Sequence, residues 1–347
     1  MPPEADEATP SPSKSASGFD GKATLRAFGC GLAMGTADAV PGVSGGTIAL
    51  ILGIYERFIG SLADVVAVVR HPRDRVVWHR ALAALRFLVP LGAGAVGALY
   101  VATKLLVGES TSPTESTWRA IDAAYQTTPP TGWLVNPSTA PVVFAFFFGL
   151  VLLSVNEPWK AKRSSAPVDW LLLLIGAAVA AALGLSSPAS GSTSPFALVA
   201  AGSVAISVML LPGVSGSLAL LVLGMYQIVT GAIHSVDLGA MSWSDDLSVI
   251  SWFLVGIILG VVLFVPLLRW LLARVHDRTM SLLSGLMLGS LAALWPWKAH
   301  YLPKFIPYKG AMSPELPTGA WWGPVLAAVA GGALIVITSR LARRKSD

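Results

Sequence analysis

The stretch DAVPGVSGGTIALILGIYERF, residues 38–58, decides the fold because it interrupts an apolar region in its middle. A second stretch, LLPGVSGSLALLVLGMYQIV at residues 210–229, carries the same interruption 171 positions later. Proline lacks a backbone N–H and disfavours helix in the residue before it, whereas glycine permits a tight turn. Each stretch therefore predicts a helix that stops at Pro-Gly, turns, and begins again as a second helix.

The composition around these interruptions is typical of a membrane protein. The chain has 347 residues, of which 54% are hydrophobic and only 12% are charged, and its mean hydropathy is +0.67. Residues 247–268 and 316–339 contain no charged residue. Each stretch is long enough to cross a hydrocarbon core of about 30 Å at about 1.5 Å per residue. Because so few charges cannot cover a soluble globule of this size, we expect the chain to lie in a bilayer.

Basic residues are concentrated on one predicted side of the membrane. They cluster near positions 14–26, 70–86, 160–163, 269–278 and 340–345, and the loops predicted on the other side carry few of them. By the positive-inside rule we expect both termini in the cytoplasm. Since this distribution accounts for the basic net charge, we expect no nucleic-acid partner.

The two stretches indicate an internal duplication. When Pro41 is aligned with Pro212, ten of 22 positions are identical, and similarity resumes where Phe87 meets Phe253. Each copy is interpreted as a broken helix pair followed by three ordinary spans. A copy then crosses the membrane an odd number of times, so the second copy must be inverted. Inverted repeats with discontinuous helices are a recurring plan of transporters.

The predicted fold is an all-α polytopic membrane protein with an inverted-topology repeat, in which each half is a re-entrant helical hairpin plus three transmembrane helices. The predicted ranges are a disordered cytoplasmic tail at 1–23, a first repeat at 24–190 with its hairpin near 24–66, a second repeat at 191–340 with its hairpin near 195–236, and a basic cytoplasmic tail at 341–347. Two alternatives stay open: ten full spans, and a parallel repeat in which each pair is one interrupted helix.

The interrupted motif is suited to binding an anion. Ser44 or Thr47 can cap the helix that begins after the turn, and the first turn of that helix leaves backbone N–H groups without intrahelical partners. These groups, the helix dipole and the hydroxyls together favour a phosphate. The alternative is a packing kink whose small residues let helices touch. The candidate phosphate-binding residues are Pro41, Gly42, Ser44, Gly45, Gly46 and Thr47 in the first copy, and Pro212, Gly213, Ser215, Gly216 and Ser217 in the second.

Charged residues near the first interruption have no counterparts in the second copy. They are Asp38, Glu56, Arg57 and Asp64. Charges at membrane depth are costly and indicate a function, here ion coupling or pairing with a phosphate. Alternatively, Glu56 and Arg57 pair with each other or extend to the cytoplasmic interface, and for Asp64 we prefer such a role.

Enzyme and metal sites are disfavoured. The sequence GVSGG at residues 42–46 fits the nucleophile pattern G-x-S-x-G, but that turn needs a preceding strand and a histidine partner, and the second copy breaks the pattern. No His, Asp or Glu residues have metal-ligand spacing. Cys30 is the single cysteine, which excludes an internal disulfide. We expect no enzyme and no cofactor, other than a proton or sodium ion where transport is coupled.

At ADAVPGVSGGTIALILGIYER and MLLPGVSGSLALLVLGMYQ, the chain resembles a bacterial membrane family, the polyprenyl-phosphate transporters, first catalogued as a domain of unknown function. The resemblance covers residues 22–340. The matching positions are Asp38, Pro41, Gly42, Ser44, Gly45, Gly46, Thr47, Tyr55, Glu56, Arg57, Pro212, Gly213, Ser215, Gly216, Ser217 and Tyr226. Gln227 departs from the acidic residue expected in relatives, which weakens a coupling role for the second half.

The resemblance implies a flippase that returns undecaprenyl phosphate from the outer to the cytoplasmic leaflet of the bacterial cell membrane, for reuse in cell-wall synthesis. The paired turns and Arg57 would then bind the headgroup, and Asp38 or Glu56 would couple transport to an ion gradient. Tyr55 and Tyr226 are expected to take part in coupling or gating. The expected partners are undecaprenyl phosphate or a related polyprenyl phosphate and membrane lipids, and the oligomeric state is left open. A transporter of a small soluble anion is the competing function, and a scaffold or lipid-modifying enzyme is the third.

Overall fold

In the part of the chain that the computed structural model describes, the regular secondary structure is helical, apart from one isolated β-bridge between Lys298 and Pro314. The structure describes residues 21–40, 43–107, 133, 136, 138–164, 166–186, 191–226, 228–229, 232, 245–298, 301, 314–317 and 320–343. Within these ranges lie α1 (Gly21–Asp38), α2 (Gly45–Ile51), α3 (Tyr55–Arg70), α4 (Arg75–Val107), α5 (Ala140–Ser154), α6 (Asn156–Lys160), α7 (Pro167–Leu185), α8 (Pro195–Met209), α9 (Gly216–Val222), α10 (Asp245–Arg274), α11 (His276–Ser290) and α12 (Trp322–Arg343). Most of the two predicted tails and the candidates Pro41 and Gly42 lie outside the described residues.

Both Pro-Gly motifs interrupt helices, as predicted. Helix α1 ends at Asp38 and α2 begins at Gly45, and 171 positions later α8 ends at Met209 and α9 begins at Gly216. We call residues 38–47 the first corner and residues 209–218 the second corner. Residues 39–40, 43–44 and 210–215, which lie between the helices of the two corners, form turns, bends or extended chain. Proline disfavours helix in the residue before it, and glycine permits the turn.

The short helices after the two corners end in the same way. Gly53 and Gly224 follow α2 and α9 with φ angles of +68° and +70°. The N–H of Ile54 donates to the Ala49 carbonyl, and the N–H of Met225 donates to that of Leu220, each at 2.9 Å. This six-to-one bond with a left-handed glycine is a Schellman cap. A further helix then begins at Tyr55, and helical residues begin again at the equivalent Tyr226.

Glycines let the helices of each copy approach closely. A Cβ atom at Gly31 or Gly35 of α1 would meet the carbonyl oxygens of Leu91 and Ala95 in α4. The residue numbers of the two contacting pairs rise in the same direction along both helices, so α1 and α4 run parallel. In the second copy, Cβ atoms at Gly256 and Gly260 of α10 would meet the carbonyl oxygens of Val199 and Ser203 in α8, with the same parallel direction.

The remaining long helices pair across the two halves of the chain. Helix α5 packs on α12, where Gly149 lies against Ala328, and α7 packs on α11, where Gly285 lies against Leu173. The reciprocal close contacts, Gly331 with Phe146 and Gly176 with Leu282, complete both interfaces. The second span after each corner therefore packs on the last span of the other half.

Four helical segments are long and apolar enough to cross a membrane. They are Arg75–Ala102, Ala140–Lys160, Pro167–Leu185 and Asp246–Arg274. Pro195–Met209 and Trp322–Ile337 are shorter apolar segments. Residues 316–339 were expected to be one of the surest spans, but the helix begins only at Trp322.

Helix α11 lies in the core. It ends at Ser290, and turns follow it. Buried residues occur on all sides of α11, and Leu283 and Met287 are among the largest fully buried side chains. A helix with buried residues on all sides is enclosed by protein. Helix α11 therefore packs in the core, where the backbone of Met287 lies against Gly213 of the second corner.

Candidate functional site

The two corners lie in contact in the core of the described structure. Ser44 and Thr47 of the first corner are completely buried, and Val43 and Val214 have almost no exposed surface. Three side chains that follow the first interruption donate to or accept from the backbone of the second corner: Ser44, Thr47 and Tyr55. The two turns therefore lie directly against each other.

Ser44 caps one helix and satisfies the end of another. Its Oγ accepts a hydrogen bond of 3.1 Å from the N–H of Gly46, so Ser44 is the N-cap of α2. Its hydroxyl points to the carbonyl oxygens of Met209 at 3.2 Å and Leu211 at 3.4 Å. These carbonyls belong to the last residue of α8 and to the second residue after it, where no later turn of helix supplies a donor. One hydroxyl thus serves both corners.

The Thr47 side chain accepts a hydrogen bond from the backbone of the second corner. The N–H of Gly213 donates to Thr47 Oγ1 at 2.8 Å, and this bond is buried. Gly213 has a φ angle of +88°, and a Cβ atom there would lie 2.5 Å from the backbone nitrogen of Met287. The second corner is therefore confined between Thr47 on one side and α11 on the other.

The two tyrosines lie near the corners in unequal surroundings. The Tyr55 hydroxyl donates to the Leu210 carbonyl at 3.0 Å in a buried contact. Tyr226, its equivalent, is partly buried. In the same corner Ser215 Oγ and Ser217 Oγ bond to each other at 2.8 Å. Two hydroxyls of the second corner thus bond to each other, and the hydroxyls of Ser44 and Thr47 in the first corner extend across the interface.

Asp38 occupies the place at the first corner that was predicted for an anion. Its Oδ1 accepts a hydrogen bond of 2.6 Å from the N–H of Gly45, the first residue of α2. The predicted phosphate donors Gly45, Gly46 and Gly213 therefore all bond to protein oxygens in this conformation. Their role toward phosphate stays a prediction, and a bound phosphate would have to replace these partners.

Arg57 lies away from both corners. Its guanidinium carbon is 4.3 Å from the centroid of the Phe87 ring. It lines a pocket of about 410 Å³, which we call the basic pocket, together with Lys22, Ala23, Arg26, Ala27, Cys30, Gly53, Ile54 and Phe87. None of these lining residues belongs to either corner. This grouping could not be predicted from local patterns, because Lys22, Arg57 and Phe87 lie in three different helices.

Glu56 points to the second half of the chain. Its Oε1 lies 3.2 Å from Nε2 of His276, at the junction of α10 and α11. Glu56 and His276 line a second pocket of about 770 Å³ with Arg163, Ser164, Asp169, Arg274, Asp277 and Arg278. Nearby, Asp64 pairs with Arg269 at 2.8 Å, a partly exposed ion pair. The contacts of Glu56 and Arg57 are thus with different partners, and His276 is a contact that sequence reasoning missed.

A polar joint between the halves lies beside Glu56. The carboxylate of Asp277 accepts hydrogen bonds from the backbone N–H groups of Arg163 at 2.9 Å and Ser164 at 3.0 Å. These bonds to the charged form, led by that from Arg163, lower the pKa of Asp277 from 3.8 to about 2. Deeper in the loop, Lys162 Nζ lies 2.9 Å from Asp169 and over the Trp159 ring. Across the described residues, no group of three or more His, Cys, Asp or Glu is placed to hold a metal ion.

Comparison with known proteins identifies the family. The family model for undecaprenyl phosphate translocase-like proteins matches residues 34–120 and 132–304, which include both corners. A polyprenyl-phosphate transporter of Vibrio cholerae is 34% identical over 275 residues, which cover 77% of this chain and 76% of that protein. A polyprenyl-phosphate transporter of Staphylococcus aureus is 29% identical over 278 residues, which cover 77% of this chain and 84% of that protein. No solved structure matches the chain significantly. With three quarters of its length covered, the chain belongs to the undecaprenyl phosphate translocase-like family.

Proposed function

We propose that this protein is a transporter that moves undecaprenyl phosphate, or a related polyprenyl phosphate, from the outer to the cytoplasmic leaflet of the bacterial cell membrane. The observation that carries this proposal is family membership, since both relatives are named polyprenyl-phosphate transporters. The four long apolar helices agree with it. Transport leaves the lipid chemically unchanged, so the protein acts without catalysis.

The directions of the helices support an inverted repeat. Helix α4 begins and α10 ends in clusters of basic residues, near positions 70–86 and 269–278. The positive-inside rule supports a cytoplasmic location for both of these ends. Since α1 runs parallel to α4 and α8 runs parallel to α10, α1 enters from the cytoplasm and α8 from the opposite side. The two broken segments then form re-entrant hairpins that meet at their corners, with both termini in the cytoplasm.

In this proposal the phosphate headgroup crosses the membrane between the two corners. A polyprenyl tail can stay in the lipid while the phosphate moves through a polar path, so the protein needs a site open to each leaflet in turn. Separation of the corners would release Ser44, Thr47 and the amides of Gly45 and Gly213 for the phosphate. Protonation of Asp38 would weaken its bond to Gly45, which suits a coupling role for this carboxylate.

The decisive experiment is transport of undecaprenyl phosphate between leaflets in proteoliposomes. We expect the purified protein to accelerate movement of the lipid, and an imposed proton or sodium gradient to change its direction or rate. The lipid should be recovered unchanged. If no movement exceeds that of empty liposomes, while inorganic phosphate is taken up into the lumen, the function is transport of a soluble anion instead.

The role of the corners is tested by removing one hydroxyl. Ser44→Ala is expected to reduce the transport rate about tenfold, because one buried hydrogen-bonding group is worth about 1–3 kcal/mol. Ser154→Ala is the matched control, since Ser154 is equally buried but donates to Leu150 of its own helix. Equal rates for the two variants, with both proteins folded, would remove Ser44 from the transport path.

A further inference from the structure

Three polar contacts join α3 of the first half to the second half of the chain, and we call them the α3–α10 seam. They are Glu56 Oε1 with His276 Nε2 at 3.2 Å, Asp64 Oδ1 with Arg269 Nη1 at 2.8 Å, and Arg70 Nη2 with the Val262 carbonyl oxygen at 3.4 Å. At 3.6 residues per turn, positions 56, 64 and 70 fall within about a third of the circumference of α3. The seam residues of α3 therefore project from one side of this helix.

The contact of Arg70 has a local cause in α10. Pro266 lies inside this helix and lacks the N–H that would donate to the carbonyl four residues earlier, which is that of Val262. Inside a membrane protein such a carbonyl needs another donor. The Arg70 guanidinium supplies one from the first half of the chain. The seam thus fastens α3 at the place where the hydrogen bonding of α10 is interrupted.

The seam is easier to separate than the helix pairs that join the halves. The side chains of Arg269 and Glu56 are 51% and 65% exposed, and exposed ion pairs contribute little net stability because water replaces each partner. The pairs α5–α12 and α7–α11 are packed closely through glycines, so their separation would expose apolar surface to water. Of these three contacts between helices of the two halves, the seam is therefore the one that can open at the lowest cost.

Helix α3 is also linked directly to the corners. Its first residue is Tyr55, whose hydroxyl donates to the Leu210 carbonyl of the second corner. Gly53, which separates α3 from α2, has a φ angle of +68° and open space where a Cβ atom would lie. Glycine adopts both signs of φ, and hinges use residues at the ends of helices in this way. A movement of α3 about Gly53 would therefore act on the contact between the corners.

We propose that α3 is the cytoplasmic gate of the transporter, and that the α3–α10 seam opens when the phosphate headgroup leaves the corners for the cytoplasmic leaflet. This inference rests on the proposed function, which supplies the lipid and the orientation. One corner belongs to each half, so a headgroup between them leaves between the halves. Helix α3 ends and α10 ends within the basic clusters near positions 70–86 and 269–278, on the side proposed to be cytoplasmic.

The gate is tested by tying α3 to α10 and releasing it again. In a protein with Cys30→Ser, Asp64→Cys and Arg269→Cys, a short bis-methanethiosulfonate reagent links the two introduced thiols through disulfides that dithiothreitol cleaves. The control protein carries Cys30→Ser, Arg269→Cys and Ala273→Cys, which lie one turn apart, so the same reagent links α10 only to itself. Transport of undecaprenyl phosphate in proteoliposomes is measured before linking, after linking and after dithiothreitol.

We expect the link between α3 and α10 to slow transport about tenfold or more, and dithiothreitol to restore the rate, because a gate that cannot open prevents release. The link within α10 should leave the rate nearly unchanged. Transport at the unlinked rate in fully linked protein would overturn the gate and leave the proposed function in place. If the unaltered protein moves no undecaprenyl phosphate, the proposed function fails and the gate fails with it.

A second measurement needs no transport, so it applies even where the paired variant folds poorly. Val265 is fully buried. It lies three positions after Val262 and four before Arg269, hence on the face of α10 that carries the seam. In solubilised protein with Cys30→Ser and Val265→Cys, the rate of labelling by a charged methanethiosulfonate reagent measures how often this face becomes accessible. Val151→Cys is the matched control, since Val151 is equally buried but lies in α5.

Removal of one seam contact should raise the labelling rate. Arg70→Met keeps the length of the side chain but loses the donor, and we expect about fivefold faster labelling of Val265→Cys. Arg73→Met should have no effect, because Arg73 is an exposed cation just beyond α3. In Pro266→Ala, which returns a donor to α10 itself, Arg70→Met should change the rate much less.

Two results of this labelling would overturn the gate. One is an unchanged labelling rate of Val265→Cys when Arg70→Met is added to the folded protein, since the seam then does not control access to α10. The other is an equal rise for Val151→Cys, which would mean that Arg70→Met loosens the whole fold and does not open a particular interface.

Discussion

The two corners share the sequence Pro-Gly-Val-Ser-Gly but take opposite parts in their contact. The first corner reaches across with side chains, through the hydroxyls of Ser44 and Thr47 and with help from Tyr55. The second corner contributes backbone groups to these hydrogen bonds: carbonyl oxygens as acceptors and the N–H of Gly213 as a donor. The shared motif thus gives the same turn in both copies, and its neighbours decide what each turn does.

The difference arises at positions that flank the shared motif. Asp38 of the first corner corresponds to Met209 of the second, and Thr47 corresponds to Leu218. The polar partner binds a backbone N–H in each case, and the apolar residue at the matching place cannot. The first corner therefore supplies both polar side chains: Asp38 binds the backbone of its own corner, and Thr47 binds the backbone of the second corner.

The largest effect is expected where the second corner is most confined. Gly213→Ala would place a Cβ atom 2.5 Å from the Met287 backbone nitrogen, at a φ angle of +88°. Because neither the backbone of α11 nor the turn can move aside cheaply, we expect the free energy of unfolding to fall by about 4 kcal/mol. Chemical denaturation in mixed micelles measures this change.

Gly53→Ala is the control for backbone strain alone. Gly53 has a φ angle of +68°, but a Cβ atom there would meet nothing within 4 Å. Its cost should be about 1 kcal/mol, which is the cost of a left-handed alanine. If both variants lose the same stability, close packing of the second corner on α11 contributes nothing, and the confinement described for it is wrong.

Sequence reasoning reached the local structure of the corners because its causes are local. Proline at position 41 and the capping hydroxyl of Ser44 each act on the few residues beside them, whereas the second helix end at Gly53 was not predicted. The end of α1 at Asp38 and the N-cap at Ser44 were therefore predictable. What the hydroxyls bind where the corners meet was not, because it depends on how two distant turns are set against each other.

The surroundings of Arg57 and Glu56 show why the rest could not be predicted. These residues are adjacent in sequence, and the sequence suggested that they could pair with each other. In the structure they point apart, since successive residues on a helix are about 100° apart, as 3.6 residues make one turn. Arg57 meets Phe87 and Glu56 meets His276, which are 30 and 220 positions away. No local pattern specifies such partners.

The second largest effect is expected at the carboxylate that only the first corner has. Asp38→Ala removes the acceptor of the Gly45 N–H, a charge-assisted bond of 2.6 Å. We expect a loss of about 2 kcal/mol in unfolding free energy, and a smaller loss for Asp38→Asn, which keeps an acceptor oxygen. Met209→Ala tests the matching place and should cost less, because the Met209 side chain is 39% exposed. A greater cost at Met209 would reverse the comparison.

A smaller effect is expected from the threonine that crosses the interface. Thr47→Val keeps the shape of the side chain but leaves the buried N–H of Gly213 without its acceptor. The expected loss is about 1.5 kcal/mol, whereas Thr47→Ser should restore most of it, because the hydroxyl returns. Thermal unfolding of the three proteins in the same detergent gives the order. If valine and serine are equally stable, the bond to Gly213 contributes nothing to the joint.

The smallest effect is expected at the polar joint outside the corners. Its pH dependence distinguishes the contribution of this joint to the contact between the halves from the contribution of the corners. The lowered pKa of Asp277 means that its bonds to Arg163 and Ser164 stabilise the fold fully above pH 3.8 and are lost as the pH falls toward about 2. Hydroxyl bonds at the corners do not titrate in this range. Asp277→Asn should therefore lower the melting temperature slightly at neutral pH and flatten its fall between pH 4 and 2. Glu157→Gln, which removes a surface pair with Lys160, should leave the wild-type profile intact. An unchanged acid profile in Asp277→Asn would leave the corners as the contact that holds the halves together at low pH.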